Sequence, residues 1–237
     1  MTGKNNIEAE YKKLQQEYKD FAYAVSHDLN APLRHIKEFL RIMFDSLGNK
    51  ISGPDERFKN IILDATTRTE KILQSLVDFS RLNNPPALKE IKLSNVVTTS
   101  LQKFADKIKQ NNISVITELD DTSVNADKDQ IQRLLDELIH NAVKFFNAPS
   151  PEIKITTTEN NGIITIKISD NGIGIEERFH EEVFKPMRAL HAQEELRGVG
   201  MGLTIAQKIV YNHNGIIKIS SNRERGITVT IELPEKV

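Results

Sequence analysis

The stretch AVSHDLNAPLRHI, residues 24–36, sets His27 beside Asp28 and follows them with Pro32, inside what otherwise reads as one long helix. An interior proline removes a backbone hydrogen bond and costs about 3 kcal/mol. The flanks therefore decide whether the stretch is helical. Ile7, Tyr11, Leu14, Tyr18, Phe21 and Val25 fall at alternating spacings of four and three, the seam of a helix that packs along another helix. Beyond the proline, Ile36, Phe39, Leu40 and Met43 continue an apolar face in shifted phase, and GNKISGPD from Gly48 breaks it.

A second helix is predicted from Pro54, a residue suited to a first turn. Its seam runs Phe58, Ile62, Ala65, Thr69, Ile72, Leu76 and Phe79, and it stops before NNPP at 83–86. Two such helices with a short connection form an antiparallel hairpin. One hairpin buries only one seam, so a dimeric four-helix bundle is expected. In this register His27 lies two positions past the seam residue Val25 and faces outward.

Composition bounds the rest. With 32 Lys and Arg against 33 Asp and Glu, the net charge of −1 carries no nucleic-acid footprint. The absence of cysteine excludes disulfides, cysteine-type zinc sites and thiol nucleophiles. No apolar run reaches the ~20 residues of a membrane span, and no signal peptide opens the chain. A cytoplasmic protein is expected. The chain starts almost directly on the coiled coil, so an upstream sensor module is expected to lie outside it.

The texture changes after the hairpin. Residues 1–83 are expected to form the hairpin with its N-terminal coiled coil, 84–90 a linker stiffened by two prolines, and 91–237 a second domain. Within that domain the pattern predicts a helix over 94–110 capped by Ser94 and a strand over 113–119. An apolar-periodic helix over 127–146 follows, then a hairpin turning at Asn161-Gly162. A glycine-punctuated segment runs from 171 to about 200. A helix to about 213 and the strands GIIKIS and GITVTIEL complete the chain. Helices with a mixed sheet in this order predict a two-layer α/β sandwich.

Three motifs there could carry chemistry. DNGIGI, residues 170–175, follows a strand, and its glycines permit close approach of backbone to a ligand. Its Asp170 can accept a hydrogen bond from a base amino group. GVGMGL, residues 198–203, opens a helix with alternate glycines, which bares N–H groups to an anion. ELIHNAVK places Glu137, Asn141 and Lys144 on one helix face, where two oxygen ligands suit magnesium and a cation suits phosphate. Read alone, each has a plainer counterpart: an ordinary turn, a loose helix start, a solvated polar stripe.

Their order, behind an outward His-Asp pair on a hairpin, resembles the sensor histidine kinases over about residues 8–234. SHDLNAPLRHI resembles the H box, ELIHNAVKF the N box, SDNGIGI the first glycine box, VFKPMRALH the phenylalanine box and GVGMGLTIAQKIV the second glycine box. The phytochrome-associated branch is the most similar. The resemblance implies an α+β chain. Its helical-hairpin dimerisation and phosphoacceptor domain precedes a two-layer ATP-binding sandwich of the gyrase, chaperone, histidine kinase and MutL type.

The resemblance further implies His27 as phosphoacceptor, with Asp28 accepting its Nδ1 proton, and Pro32 as a bend in the helix. It implies ATP contacts from Asn141, Lys144, Asp170, Gly172, Gly174, Ile175, Phe184, Gly198, Gly200, Met201, Gly202, Leu203 and Thr228. Magnesium would be held by Asn141 and Glu137, the latter also a catalytic candidate. The segment between the glycine boxes would be an ATP lid. The implied partners are a second copy of the chain and the receiver domain of a response regulator. Three residues differ from the usual pattern. Glu137 replaces an asparagine, as in the related ATPases that activate water, and Met187 replaces an aromatic residue. Ala31 replaces a Thr or Asn, which leaves that turn without a group to hold water for dephosphorylation. An autokinase, a conformational ATPase and a catalytically silent scaffold are the three functional alternatives. The His-Asp pair favours the first over the second, and the intact glycines with Asn141 favour it over the third.

Overall fold

The computed structural model describes residues 2–47, 54–120, 122–188, 190, 198–223 and 225–235. The expected break at 48–53 and residues 189 and 191–197 of the expected lid lie outside them, as do the side chains of Ile7, Tyr11 and Leu14. The chain falls into two compact units, Met1–Asn84 and Pro85–Val237.

The first unit is a hairpin of α1 (Thr2–Leu47) and α2 (Pro54–Arg81). Pro54 opens α2 with Asp55 and Glu56 in its first turn, where acidic groups favour the helix dipole. Pro32 sits inside α1 without ending it. Within this hairpin the buried stripe is not the expected seam. Ala22, Ser26 and Phe44 of α1 and Thr66, Leu73, Val77 and Ser80 of α2 are buried. The cause is size: Ala22 and Ser26 let the helices approach closely, and the Ser26 hydroxyl donates to the Leu73 carbonyl at 3.2 Å. The Lys37–Glu70 ion pair at 2.8 Å spans the two helices. The larger seam residues are left outside, Phe21 at 64 % and Phe58 at 61 % exposure, with Phe39 at 71 %.

The second unit starts earlier than the expected linker allows. β1 (Lys89–Lys92) pairs antiparallel with β3 (Ser123–Ala126), a strand the sequence pattern does not reveal. Both are too short for a period-2 signal. α3 (Leu93–Lys103) then leaves β1 directly, and the Leu93 N–H bonds the Thr122 carbonyl at 3.2 Å. Ser94 is therefore inside the helix, and Lys92 holds the cap position with no side-chain capping bond. The expected single helix over 94–110 is two, because Phe104 leaves helical angles before α4 (Ala105–Gln110).

β2 (Ser114–Leu119), β4 (Glu152–Asn160), β5 (Ile163–Asp170), β6 (Ile216–Ser221) and β7 (Ile227–Pro234) form one sheet in the order β2-β4-β5-β7-β6. β2 pairs with β4 in parallel and the other pairs are antiparallel. The β4–β5 hairpin turns at Asn161 (φ 53) and Gly162 (φ 75), the geometry that this residue pair favours. Alternate residues Ile153, Ile155, Ile164, Ile166, Ile168, Val229, Ile231 and Leu233 are buried. Over them lies α5 (Lys128–Lys144), packed between α3 and α6 (Gly202–Asn212). The other sheet face carries residues such as Lys154, Thr156 and Lys167, the one-sided pattern of an antiparallel sheet.

Asp127 starts α5, its Oδ1 accepting from the Asp129 and Gln130 N–H groups at 3.1 Å. Its Oδ2 accepts from the Ala87 N–H at 2.8 Å. The buried His213 ties the end of α6 to this start, accepting at Nε2 from the Asp127 N–H and donating from Nδ1 to the Ile209 carbonyl. Asp127→Ala is expected to destabilise this unit by about 1–2 kcal/mol. Urea unfolding checks it, and Asp127→Asn, which keeps an acceptor, should lose less.

Candidate functional site

On the hairpin, the buried Ser26 anchors the turn that exposes its neighbour. The His27 and Asp28 side chains are 72 % and 81 % exposed, and His27 Nδ1 lies 3.1 Å from Asp28 Oδ1. A carboxylate there fixes the proton on Nδ1 and leaves the Nε2 lone pair facing water. The Tyr23 ring, one turn earlier, stacks near His27 with centroids 6.4 Å apart. The sequence reading missed Tyr23, though its i, i+4 spacing was available. Pro32 has no N–H to offer the carbonyl four residues back, which is that of Asp28. The weakened rung of α1 thus sits beside the pair.

In the second unit, the polar face of α5 is not a solvated stripe. Glu137, Asn141 and Lys144 are half-buried, while Leu134, Leu135, Leu138, Ile139, Ala142 and Val143 point into the core. The second glycine motif lies against the polar face. A methyl group on Gly202 would stand 2.8 Å from Glu137 Oε2 and 3.7 Å from Asn141 Nδ2, and one on Gly198 would stand 3.1 Å from Lys144 Nζ. Gly200 runs against the Arg188 backbone, and the buried Met201 precedes the first turn of α6. Leu203 is half-buried in that turn. Thr204 beside it is buried, with its hydroxyl unpartnered among the described residues. Phe184 is buried in a short 3-10 turn that packs on α6.

The other wall is built at the end of β5. Asp170 Oδ1 accepts from the Gly172 N–H at 2.9 Å, and the carboxylate also meets the Ile227 N–H. Burial pushes the Asp170 carboxyl above the ordinary value of 3.8, against the pull of these two bonds. A methyl on Gly172 would lie 2.5 Å from the Phe145 carbonyl oxygen, so only glycine lets the turn reach the end of α5. Gly174 comes close to Gly226. The Ile175 carbonyl accepts from the Ser221 hydroxyl at 3.0 Å and meets His180 Nε2 at 3.1 Å.

Thr228 bonds Ser169 and Asn222 at 2.9 and 2.7 Å. Gly226 (φ 82) brings its backbone onto Asp170, where a methyl would stand 2.0 Å from the Asp170 carbonyl oxygen. Ser169, Asn222 and Gly226 were not singled out in the sequence; only the glycine preceding the last strand was a usable signal. Met187, at the expected aromatic position, is exposed with φ 60.

The residues fit a nucleotide with a divalent cation. The glycines at 198 and 202 keep space clear beside a carboxylate, an amide and an ammonium group. Among the described residues no group of three or more His, Cys, Asp or Glu could hold a metal unaided. Glu137 and Asn141 suffice for magnesium only where phosphates and water complete the shell, which is its usual habit.

Residues 17–85 match the His Kinase A (phospho-acceptor) domain, and residues 126–237 match the family described as histidine kinase-, DNA gyrase B-, and HSP90-like ATPase. Over 97 % of its length the chain is 32 % identical to cyanobacterial phytochrome B of Nostoc sp., covering 31 % of that protein. Over 96 % it is 29 % identical to sensor histidine kinase WalK of Bacillus subtilis, covering 38 % of it. The chain thus spans about a third of the length of these two relatives. The catalytic domain of histidine kinase ThkA superposes with a TM-score of 0.57 at 28 % identity, over 63 % of this chain and 96 % of that one. At 22 % identity, ThkA in complex with response regulator protein TrrA shares the fold over 95 % of this chain and 66 % of that one, with a TM-score of 0.65.

The Asp170 environment has a measurable consequence. Its carboxyl should titrate above 3.8 in the free protein. Hydrogen bonding to a base amino group favours the charged form, so ADP should lower that midpoint. By linkage, ADP affinity is full above the raised midpoint and falls as pH drops through it. A carbon-detected NMR titration of Asp170 with and without ADP checks both the position and the sign.

Proposed function

The chain belongs to the sensor histidine kinases, as the transmitter region of one, and we propose that it phosphorylates His27 from ATP and passes the phosphoryl group to an aspartate on a response regulator. The observation that carries this reading is the exposed His27–Asp28 pair, with Nδ1 held by the carboxylate and Nε2 free to react.

The chemistry follows from the residues. Asp28 holds the Nδ1 proton, so the Nε2 lone pair attacks the γ-phosphorus as the bond to the ADP oxygen breaks. The positive charge that develops on the imidazole is shared with Asp28 through the Nδ1 proton. Asn141 and Glu137 supply oxygens for magnesium, and Lys144 supplies charge to the phosphates. Magnesium held there would supply charge neutralisation at the phosphate oxygens. Asp170 accepts from the adenine amino group, whereas Thr228, paired with Ser169, points to the other face of the sheet and does not join it. Gly172, Gly174, Ile175 and Phe184 shape the base side. Gly198, Gly200, Met201, Gly202 and Leu203 form the phosphate side. Phosphoryl transfer requires mainly positioning and charge neutralisation, and these side chains can supply both. The weakened rung at Pro32 lets α1 bend next to His27.

We assign the partners on similar grounds. Phe21, Phe39, Ile36, Phe58, Ile61 and Ile62 form an exposed apolar face on the hairpin, and a second copy would cover it. ThkA has been seen in complex with response regulator protein TrrA, and a receiver domain is proposed as the acceptor here. No helix among the described residues is long and apolar enough to cross a membrane. We place the activity in the cytoplasm, where its substrate ATP is made.

Incubation with γ-labelled ATP and magnesium should give an acid-labile, base-stable label on the protein. His27→Gln should abolish the label and keep ADP affinity within about twofold. Retained label would move the phosphoacceptor, with His35 next along the helix. Asn141→Ala should abolish label and magnesium-dependent nucleotide binding together. Phe39→Glu combined with Phe58→Glu should convert the dimer to monomer in sedimentation, and an unchanged dimer would move the interface elsewhere.

A further inference from the structure

Four residues of α1 lie one helical turn from His27 on its own face: Tyr23 and Ala24 before it, Asn30 and Ala31 after it. Helical side chains lean towards the helix N-terminus, so the imidazole is laid over the turn that holds Tyr23 and Ala24. Ala24 offers it a methyl group, and Tyr23 offers a ring. The Tyr23 and His27 rings stand with centroids 6.4 Å apart and planes at 23°, inside the range of roughly 4.5–7 Å for offset aromatic pairs.

This placement is inherited from the packing of the hairpin. Ala22 and Ser26 are buried one turn apart, and Tyr23 and His27 repeat that spacing one position on. Fixing the first pair therefore sets the second side by side on the neighbouring face. Tyr23 is 59 % exposed, so its ring does not serve the core of the hairpin. Asp28 holds the Nδ1 edge of the imidazole, and Tyr23 stands against one of its faces. Between them the two neighbours limit how the ring can turn.

We propose that Tyr23 is a positioning residue for the phosphorylation of His27, whose ring holds the imidazole in its reactive orientation and stabilises the charge that the imidazole gains. The inference rests on the reading of His27 as phosphoacceptor. As the Nε2 lone pair becomes the bond to phosphorus, the bond to the ADP oxygen breaks and its electron pair leaves with ADP. The Nδ1 proton stays between the ring and Asp28. The imidazole thus passes from neutral to cationic during the step. An aromatic face attracts a cation, so the contact strengthens as transfer proceeds. Only an interaction stronger in the transition state than before it speeds the reaction. Tyr23 therefore acts on kcat. The proposed ATP contacts all lie in the second unit, so KM for ATP should not depend on Tyr23.

The test is autophosphorylation of the full chain from γ-labelled ATP, with initial rates measured across ATP concentrations for wild type, Tyr23→Phe and Tyr23→Leu. Tyr23→Leu should lower kcat about two- to fivefold, the size of one exposed contact between a cation and an aromatic face, at an unchanged KM. Tyr23→Phe keeps the face and should hold kcat near that of wild type. In proton NMR of the unphosphorylated protein, the His27 Hδ2 and Hε1 resonances should carry a ring-current shift that Tyr23→Phe keeps and Tyr23→Leu loses. An unchanged kcat in Tyr23→Leu, or an equal loss in Tyr23→Phe, would overturn the role of Tyr23 alone. A raised KM with kcat intact would also overturn it, by placing Tyr23 against the nucleotide. Wild type that takes up no label on His27 would overturn the phosphoacceptor reading and this inference with it.

Discussion

A single backbone bond, from the Ile173 N–H to the Phe145 carbonyl at 3.0 Å, ties the glycine turn after β5 to the end of α5. Much of the second unit's geometry depends on that approach. It leaves no room for a side chain at Gly172, which explains a glycine there without reference to any ligand. The bond brings the Asp170 wall and the Asn141 face, which belong to different elements, to the two sides of one short connection. α5 is itself fixed at its other end by Asp127 and His213. The helix is therefore held at both ends before it presents Glu137, Asn141 and Lys144 to the glycines at 198 and 202.

The hairpin obeys a different constraint. Its two helices must pack closely and still expose a histidine. Small residues solve the first demand: Ala22 and Ser26 are fully buried, and Ser26 uses its hydroxyl on the Leu73 carbonyl. The second follows from adjacency. A residue next to a buried helical position is turned about 100° away from it, so burying Ser26 turns His27 outward. The large apolar side chains are then displaced to a neighbouring face, which one copy of the chain cannot cover.

Strong periodicity made the long helices and the main sheet legible in the sequence. α5 and the β4–β5 turn follow from apolar spacing and from Asn161-Gly162. The failures have physical causes. β1 and β3 are four-residue strands, too short to show alternation. The buried stripe of the hairpin was misassigned because spacing marks the largest apolar residues, whereas close packing selects small ones. Ser94 looked like a cap because no sign of the preceding strand was visible. Motif order brought forward the proposed ligand residues, but Ser169, Asn222 and Gly226 carry no motif signature. They come together only where β5, β7 and the turn after β6 meet.

The two units also answer opposite electrostatic demands. A nucleophilic imidazole must stay hydrated and accessible, and the His27 pair is exposed on an open helix face, with a carboxylate to hold one proton. An acceptor meant to read a base must give up water beforehand, and burial of Asp170 raises the cost of its charge. That cost is offset by N–H donors from Gly172 and Ile227 and would be offset further by a base amino group. A group with unspent desolvation discriminates sharply, because a ligand without the donor leaves the penalty in place. Solvation at one site and its withdrawal at the other would be hard to combine on one rigid surface. Separating them into two units, with a weakened helical rung beside the histidine, lets each side chain keep the surroundings its proposed chemistry requires.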